Sequence, residues 1–168
     1  MESKEEEKKG PTRLIVRDAH IDKEKMDREG YIKNGIFQFE LKTENSLNRI
    51  TSAANPRPME RVPKGTQFNF EMVYSIYDMG DSGEIDIEYL DFVFSALKLV
   101  EASALGGGGS RGSGEVRFMD KKARIKKVDD YRKEAEGAPE EPGTLINLEG
   151  QDGLDKLKLT LQNLKPGK

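Results

Sequence analysis

The sequence predicts an α+β domain, and three observations carry that prediction. Gln67-Phe68-Asn69-Phe70-Glu71-Met72-Val73-Tyr74 alternates polar with apolar residues, so Phe68, Phe70, Met72 and Tyr74 share one face of a strand. Leu90, Val93, Phe94, Leu97 and Val100 recur at three- and four-residue spacing in a stretch reaching Ala104, the period of an amphipathic helix. Leu14, Ile15 and Val16, within Arg13 to Ala19, are mostly β-branched in a run too short for a helix, which reads as another strand.

Composition bounds what such a domain does. The chain has 168 residues, 35% hydrophobic and 35% charged, against usual values of about 45–50% and about 25%. The core is therefore small and the surface heavily solvated. The lack of cysteine excludes disulfides, thiolate zinc sites and cysteine nucleophiles, and the one histidine, His20, leaves a histidine-rich metal site short of ligands. No apolar run approaches the roughly 20 residues that span a bilayer, and the N-terminus has no signal-like stretch, so the sequence reads as cytoplasmic with no membrane partner.

The elements follow in order. Residues 1–11 are charged, aperiodic and end in Gly10-Pro11, a flexible lead-in. After the Arg13–Ala19 strand, residues 22–30 read as a short polar helix or loop, and Ile36, Phe37, Phe39 and Leu41 as a second extended segment. Residues 43–65 hold three prolines and few core formers, a long excursion of the kind that is usually functional or disordered. The Gln67–Tyr74 strand comes next, then turn chemistry at 78–83. The helix follows, its acidic first turn (Glu84, Asp86, Glu88) suited to the dipole and Gly106 suited to ending it. A glycine loop over 106–114 leads to a strand, Glu115–Phe118. Residues 134–153, with Gly137, Pro139, Pro142 and Gly143, read as a linker. Leu157, Leu159 and Leu161 alternate with polar residues, predicting a strand or tail over 154–168.

Charge is distributed unevenly around a net of -3. Residues 42–64 carry five bases and two acids, 78–101 one base and seven acids, and 111–133 nine bases and four acids. Two basic stretches thus flank one acidic element, and nucleic-acid binders work through such local patches.

Three motifs bear on chemistry. In the glycine loop, successive N–H groups turn toward an anion with no Cβ in the way, and Arg111 adds a forked donor pair for phosphate. The competing reading is a flexible Gly-Ser linker. A Walker A loop is excluded, because a lysine is required where Ser113 stands. In the 43–65 excursion, Asn45, Asn48, Thr51, Ser52 and Asn55 interleave with bases, and Leu47, Ile50 and Met59 are apolar. Such a segment grips nucleic acid with arginines on phosphates and an apolar wedge between bases, or else is a surface loop. A calcium-loop template starting at Asp78 finds Ser82, Gly83 and Asp86 in place, but Gly80 and Tyr89 stand where ligands belong, so these acids read as helix caps.

Arg13–Ala19, Glu44–Arg61 and Leu105–Phe118 together resemble, in order and spacing, the RAMP-superfamily backbone subunit of the type III-A CRISPR (Csm) effector complex. The similarity runs from about Thr12 to Phe118. It implies a partial ferredoxin-like (RRM-like) fold over 12–133 with a thumb hairpin insertion at 43–65 and a C-terminal extension. It also implies a protein that polymerises along a CRISPR RNA, with copies of itself, target RNA and other Csm subunits as partners. The thumb pushes between guide and target, and the loop matching 106–114 lies against the guide. The implied RNA-binding residues are Asn45, Arg49, Arg57, Arg61, Gly107, Gly108, Ser110, Arg111 and Gly112; the implied wedge is Leu47, Ile50 and Met59.

The alternative activity is that of an endoribonuclease cleaving target RNA. The family does this with a divalent metal (Mg) and an aspartate in a half-domain ahead of the Arg13 strand. That half is missing from the match, so no catalytic residue, metal ligand or cofactor is assigned to this chain, and Asp18, Glu44 and Glu60 are not promoted to the role. In the implied strand order the absent first strand lies between Gln67–Tyr74 and Glu115–Phe118, which predicts that the chain alone folds incompletely. Residues 119–168 lie beyond the resemblance, and the basic Lys121–Lys133 stretch is open to RNA or a neighbouring subunit.

Overall fold

A computed structural model describes residues 10–33, 36–137, 143–150 and 152–164. The chain divides into two compact units, Met1–Tyr74 and Ser75–Lys168. The lead-in at 1–9 and the prolines of the expected linker lie outside the described residues.

The first unit contains β1 (Leu14–Val16), β2 (His20–Ile21), α1 (Lys23–Arg28), β3 (Ile32–Lys33), β4 (Ile36–Phe37), β5 (Glu40–Leu47), β6 (Ala54–Arg61), β7 (Phe68–Asn69) and β8 (Met72–Tyr74). β1 pairs antiparallel with β8 and β2 with β7. Val16 stands opposite Met72 but His20 opposite Asn69, so four steps along one strand face three along the other. One extra residue in the Arg17–Ala19 stretch is a bulge, which bends the ribbon. This interruption splits the expected continuous Gln67–Tyr74 strand at Phe70–Glu71. Helix α1 begins where the Asp22 carboxylate accepts from the Lys25 N–H at 3.2 Å. Its Met26 is fully buried, and the Met26 carbonyl accepts from the Tyr31 N–H at 2.9 Å as the chain turns into β3.

The longest ladder is the hairpin β5–β6, from Glu40 opposite Arg61 to Leu47 opposite Ala54. Two of the prolines of the 43–65 stretch, Pro56 and Pro58, sit in a regular ribbon for a specific reason. The Asn48 N–H donates to the Ala53 carbonyl at 3.0 Å, which makes the even-numbered residues of β5 the hydrogen-bonded positions. Pro56 and Pro58 oppose Asn45 and Thr43, in the alternate pairs whose N–H would point away from the partner, so no ladder bond is lost. The ladder starts three residues before the expected excursion because Glu40 and Arg61 close its base.

The second unit contains α2 (Glu84–Glu88), α3 (Leu90–Ala102), β9 (Lys122–Ile125), α4 (Val128–Ala135), β10 (Thr144–Asn147) and α5 (Gly153–Asn163). Asp81 caps α2, its carboxylate accepting from Ile85, Gly83 and Met79 N–H groups at 3.0, 3.1 and 3.3 Å. The Ile85 hydrogen bond leads in holding the Asp81 carboxyl below its ordinary value. Asp78 accepts from Gly80 and Ser82, both at 2.9 Å, and buried Asp86 accepts from Tyr77 at 2.9 Å. These acids are turn and cap groups, as their poor fit to the calcium template indicates. Helix α3 forms over the expected period, Leu90 buried and Val93, Phe94, Leu97 and Val100 partly so.

Three expectations fail in this unit. Glu115–Phe118 is not a strand: it has no ladder, and its Phe118 N–H donates to the Glu101 carboxylate instead. The stretch read as a linker over 134–153 contains the end of α4 and strand β10, which pairs antiparallel with β9. Where a C-terminal strand or tail is expected over 154–168, the described residues form helix α5, Gly153–Asn163, and 165–168 lie outside the described residues. Leu154, Leu157, Leu161 and Leu164 recur at three- and four-residue spacing and are buried or half-buried, whereas Leu159, on the alternating pattern, is exposed. Leu157 packs α5 toward α2, joining Ile87 and Leu90 in the unit's small core, and Lys158 Nζ pairs with Asp91 at 2.6 Å. No helix among the described residues is long and apolar enough to cross a membrane.

Candidate nucleic-acid interface

The expected RNA-binding residues fall into two sets, one in each unit. The hairpin β5–β6 holds Asn45, Leu47, Arg57, Met59 and Arg61, with Arg49 and Ile50 in its turn. Opposed residues share a face, so Leu41, Thr43, Asn45 and Leu47 lie with Ala54, Pro56, Pro58 and Glu60. Glu40, Lys42, Glu44 and Ser46 lie with Asn55, Arg57, Met59 and Arg61 on the other face. One side is thus largely apolar and proline-bearing, the other charged.

The tip is held by Asn48. Its side-chain oxygen accepts from the Ile50 and Thr51 N–H groups at 2.9 and 3.1 Å, and its carbonyl from Ser52 at 2.9 Å. Ser52 takes a positive φ of 56° to complete the turn. The result presents Ile50 at 94% exposure and Leu47 at 64%, both at the distal end. Met59 stands apart from them. It pairs with Lys42 near the base on the charged face, about 17 Å along the strand from Leu47.

The arginines differ in availability. Arg61 is committed to Glu40 through two hydrogen bonds, from Nε at 2.9 Å and Nη2 at 2.8 Å. That bidentate pair raises the Arg61 pKa and lowers the Glu40 pKa, the hydrogen bond leading in each case. Arg61 therefore acts as a strut at the hairpin base. Arg57 faces Glu44 across the ladder, and Arg49 lies exposed in the turn.

The glycine loop is an ordered structure and not a slack linker. The Leu105 N–H donates to the Gly114 carbonyl at 2.8 Å and closes its neck. The Ser113 and Arg111 N–H groups donate to the Gly108 carbonyl at 3.2 and 2.9 Å around a single 3-10 turn, Gly109–Arg111. Glycine is required at the neck, where Gly114 has φ +85° and an added Cβ would collide with the Leu105 carbonyl oxygen. The N–H groups of Gly106, Gly107, Gly108, Gly109 and Ser110 have no acceptor among the described residues. Five successive donors are thus unspent, and a Cβ added at Gly108 would stand 4.0 Å from Arg111 Nη2.

Glu44 and Glu60 occupy opposite faces of the hairpin, and no three His, Asp or Glu side chains converge among the described residues. No cleavage step is assigned to them.

The basic Lys121–Lys133 stretch, open to RNA or a neighbouring subunit, includes strand β9. Lys122 and Arg124 alternate with Ala123 and Ile125 on β9, and the short Lys-Ala-Arg-Ile pattern is the signal that places both on one sheet face.

The described residues form an α+β protein with a long exposed hairpin and an ordered glycine loop, and a model of the RAMP superfamily matches residues 2–117. The chain belongs to the RAMP superfamily. Its relatives are of Csm3 type. It is 48% identical over 122 residues to "CRISPR system Cms endoribonuclease Csm3" of Methanothermobacter thermautotrophicus, covering 73% of this chain and 47% of that protein. The protein of the same name from Methanocaldococcus jannaschii is 36% identical over 153 residues, covering 89% of this chain and 57% of the relative. That from Streptococcus thermophilus is 38% identical over 112 residues, covering 66% and 48%. The chain thus spans about half the length of the curated relatives it matches.

Proposed function

We propose that this chain is a guide-RNA-binding backbone subunit of a type III-A CRISPR complex. In this reading it polymerises along the guide with further copies of itself and with other Csm subunits. The hairpin β5–β6 serves as a thumb that enters between guide and target RNA, Leu47 and Ile50 forming the wedge. Asn45, Arg49 and Arg57 contact the nucleic acid from the same ribbon, and Arg61 holds its base. The loop of Gly107, Gly108, Ser110, Arg111 and Gly112 receives the guide backbone. The observation that carries this reading is the tip itself: an isoleucine exposed at 94% is unfavourable in water and is explained by an apolar surface that it enters.

The test is RNA binding measured over a salt series. Arg111→Ala lowers the salt slope by about 0.7 for a single strand, one charge's worth. An unchanged slope removes Arg111 from the interface. Ile50→Asp leaves affinity for a single strand intact and abolishes the regular interruption of guide–target pairing, read by chemical probing of base accessibility.

A second reading is suggested by the relatives' printed name, endoribonuclease. The cleaving aspartate and its magnesium site then come from a segment or second polypeptide that completes the domain. Magnesium-dependent cleavage of target RNA by the assembled complex, lost on adding a chelator and retained in Glu44→Gln and Glu60→Gln, supports this division of labour.

A further inference from the structure

Residues 118–168 lie outside the span matched by the superfamily model, yet they hold the densest cationic surface of the second unit. The antiparallel pair β9–β10, whose strands are separated in the chain by α4, places Lys122 opposite Asn147 and Arg124 opposite Leu145 on its outer face, all four exposed. Ala123, Ile125 and Ile146 turn inward. A rise of about 3.4 Å per residue sets Lys122 and Arg124 roughly 7 Å apart along the strand. Neighbouring acids are already engaged. Glu134 pairs with Lys126 at 2.8 Å, Asp129 with Arg132 at 3.2 Å, Asp130 accepts from the Lys127 N–H at 2.9 Å, and Glu149 from the Asp120 N–H at 3.1 Å. Lys121, Lys122, Arg124, Lys127 and Lys133 form no ion pair among the described residues. Tyr131 on α4, 56% exposed, carries Lys126 Nζ 4.8 Å from its ring centroid.

We infer that the outer face of the β9–β10 strand pair is a second nucleic-acid contact, taking the phosphate backbone of an RNA strand on Lys122 and Arg124 without reading its bases. The composition favours a polyanion over a protein partner. Four of the five unpaired cations are lysines, a residue depleted from protein interfaces but suited to phosphate as a point charge. Unneutralised cations on one face repel one another, and a backbone with one charge per nucleotide relieves that repulsion while releasing counterions.

The full chain is titrated against fluorescein-labelled oligouridine over a sodium chloride series, read by anisotropy. The Lys122→Ala, Arg124→Ala pair lowers the slope of log affinity against log salt by about 1.4, two charges at about 0.7 each. The charge-preserving pair Lys122→Arg, Arg124→Lys keeps the wild-type slope. Should the alanine pair unfold, Lys122→Gln and Arg124→Gln taken singly each lower it by about 0.7. An unchanged slope, or no oligouridine binding by the chain at any salt, overturns the inference. So does a variant that keeps its RNA slope but loses binding to polyglutamate, which marks an acidic protein as the partner. This surface stands independently of the thumb: Arg49→Ala, Arg57→Ala with a wild-type slope sinks the hairpin assignment alone.

Discussion

Two glycines in one loop separate folding from binding. Gly114→Ala forces a side chain into the left-handed region at φ +85° and drives its Cβ against the Leu105 carbonyl. The backbone conformation costs about 1–2 kcal/mol. Relieving the clash breaks the 2.8 Å bond from the Leu105 N–H to the Gly114 carbonyl, worth about 0.5–1.5 kcal/mol. Alanine's stiffer unfolded chain returns about 0.4–1 kcal/mol. The net loss centres near 2 kcal/mol, a fall of roughly 4–8 °C in Tm for a chain of this size. At Gly107 an added Cβ meets nothing within 4 Å and φ is not positive, so Gly107→Ala holds or slightly raises Tm. In the proposed function its methyl crowds the run of free N–H groups that would receive the guide backbone, so RNA affinity falls instead. Calorimetry and anisotropy on both variants check this, and equal changes in Tm refute the steric argument.

Other outcomes follow from the same geometry. Leu157→Ala, in a core shared with Ile87 and Leu90, lowers unfolding free energy by about 2–3 kcal/mol in urea titration. Ile50→Asp, at an exposed tip, shifts stability by no more than about 0.5 kcal/mol and acts on RNA pairing alone. The Asp81 carboxyl is held below its ordinary value of 3.8 by backbone donors, so its stabilisation of the α2 cap is complete above that value and fades as pH falls through the lowered one. Asp81→Asn therefore flattens the acid limb of stability, seen by circular dichroism between about pH 5 and pH 2.

Long periodic segments and glycine chemistry were legible in the sequence. The α3 period placed Leu90 and its neighbours inward, and the glycine run identified a loop whose backbone donors stay free. The 43–65 stretch announced an unusual excursion, but its regularity was hidden because Pro56 and Pro58 argue against a strand until the pairing register is known. Helix α5 was misread because Leu157, Leu159 and Leu161 fit a two-residue period as well as Leu154, Leu157, Leu161 and Leu164 fit a helical one. Only packing against α2 decides between them. Glu115–Phe118 had the composition of a strand, and a strand exists only with a neighbour to bond.

The two prolines of β6 also govern what the hairpin refuses. Its outer rim lacks N–H donors at Pro56 and Pro58, so another extended chain laid beside it finds carbonyls with nothing to answer its own carbonyls. In the proposed filament, copies gathered along one RNA would therefore be kept from zipping their ribbons into a common sheet through that rim. Each tip would stay an independent finger, its separation from the next set by the polymer.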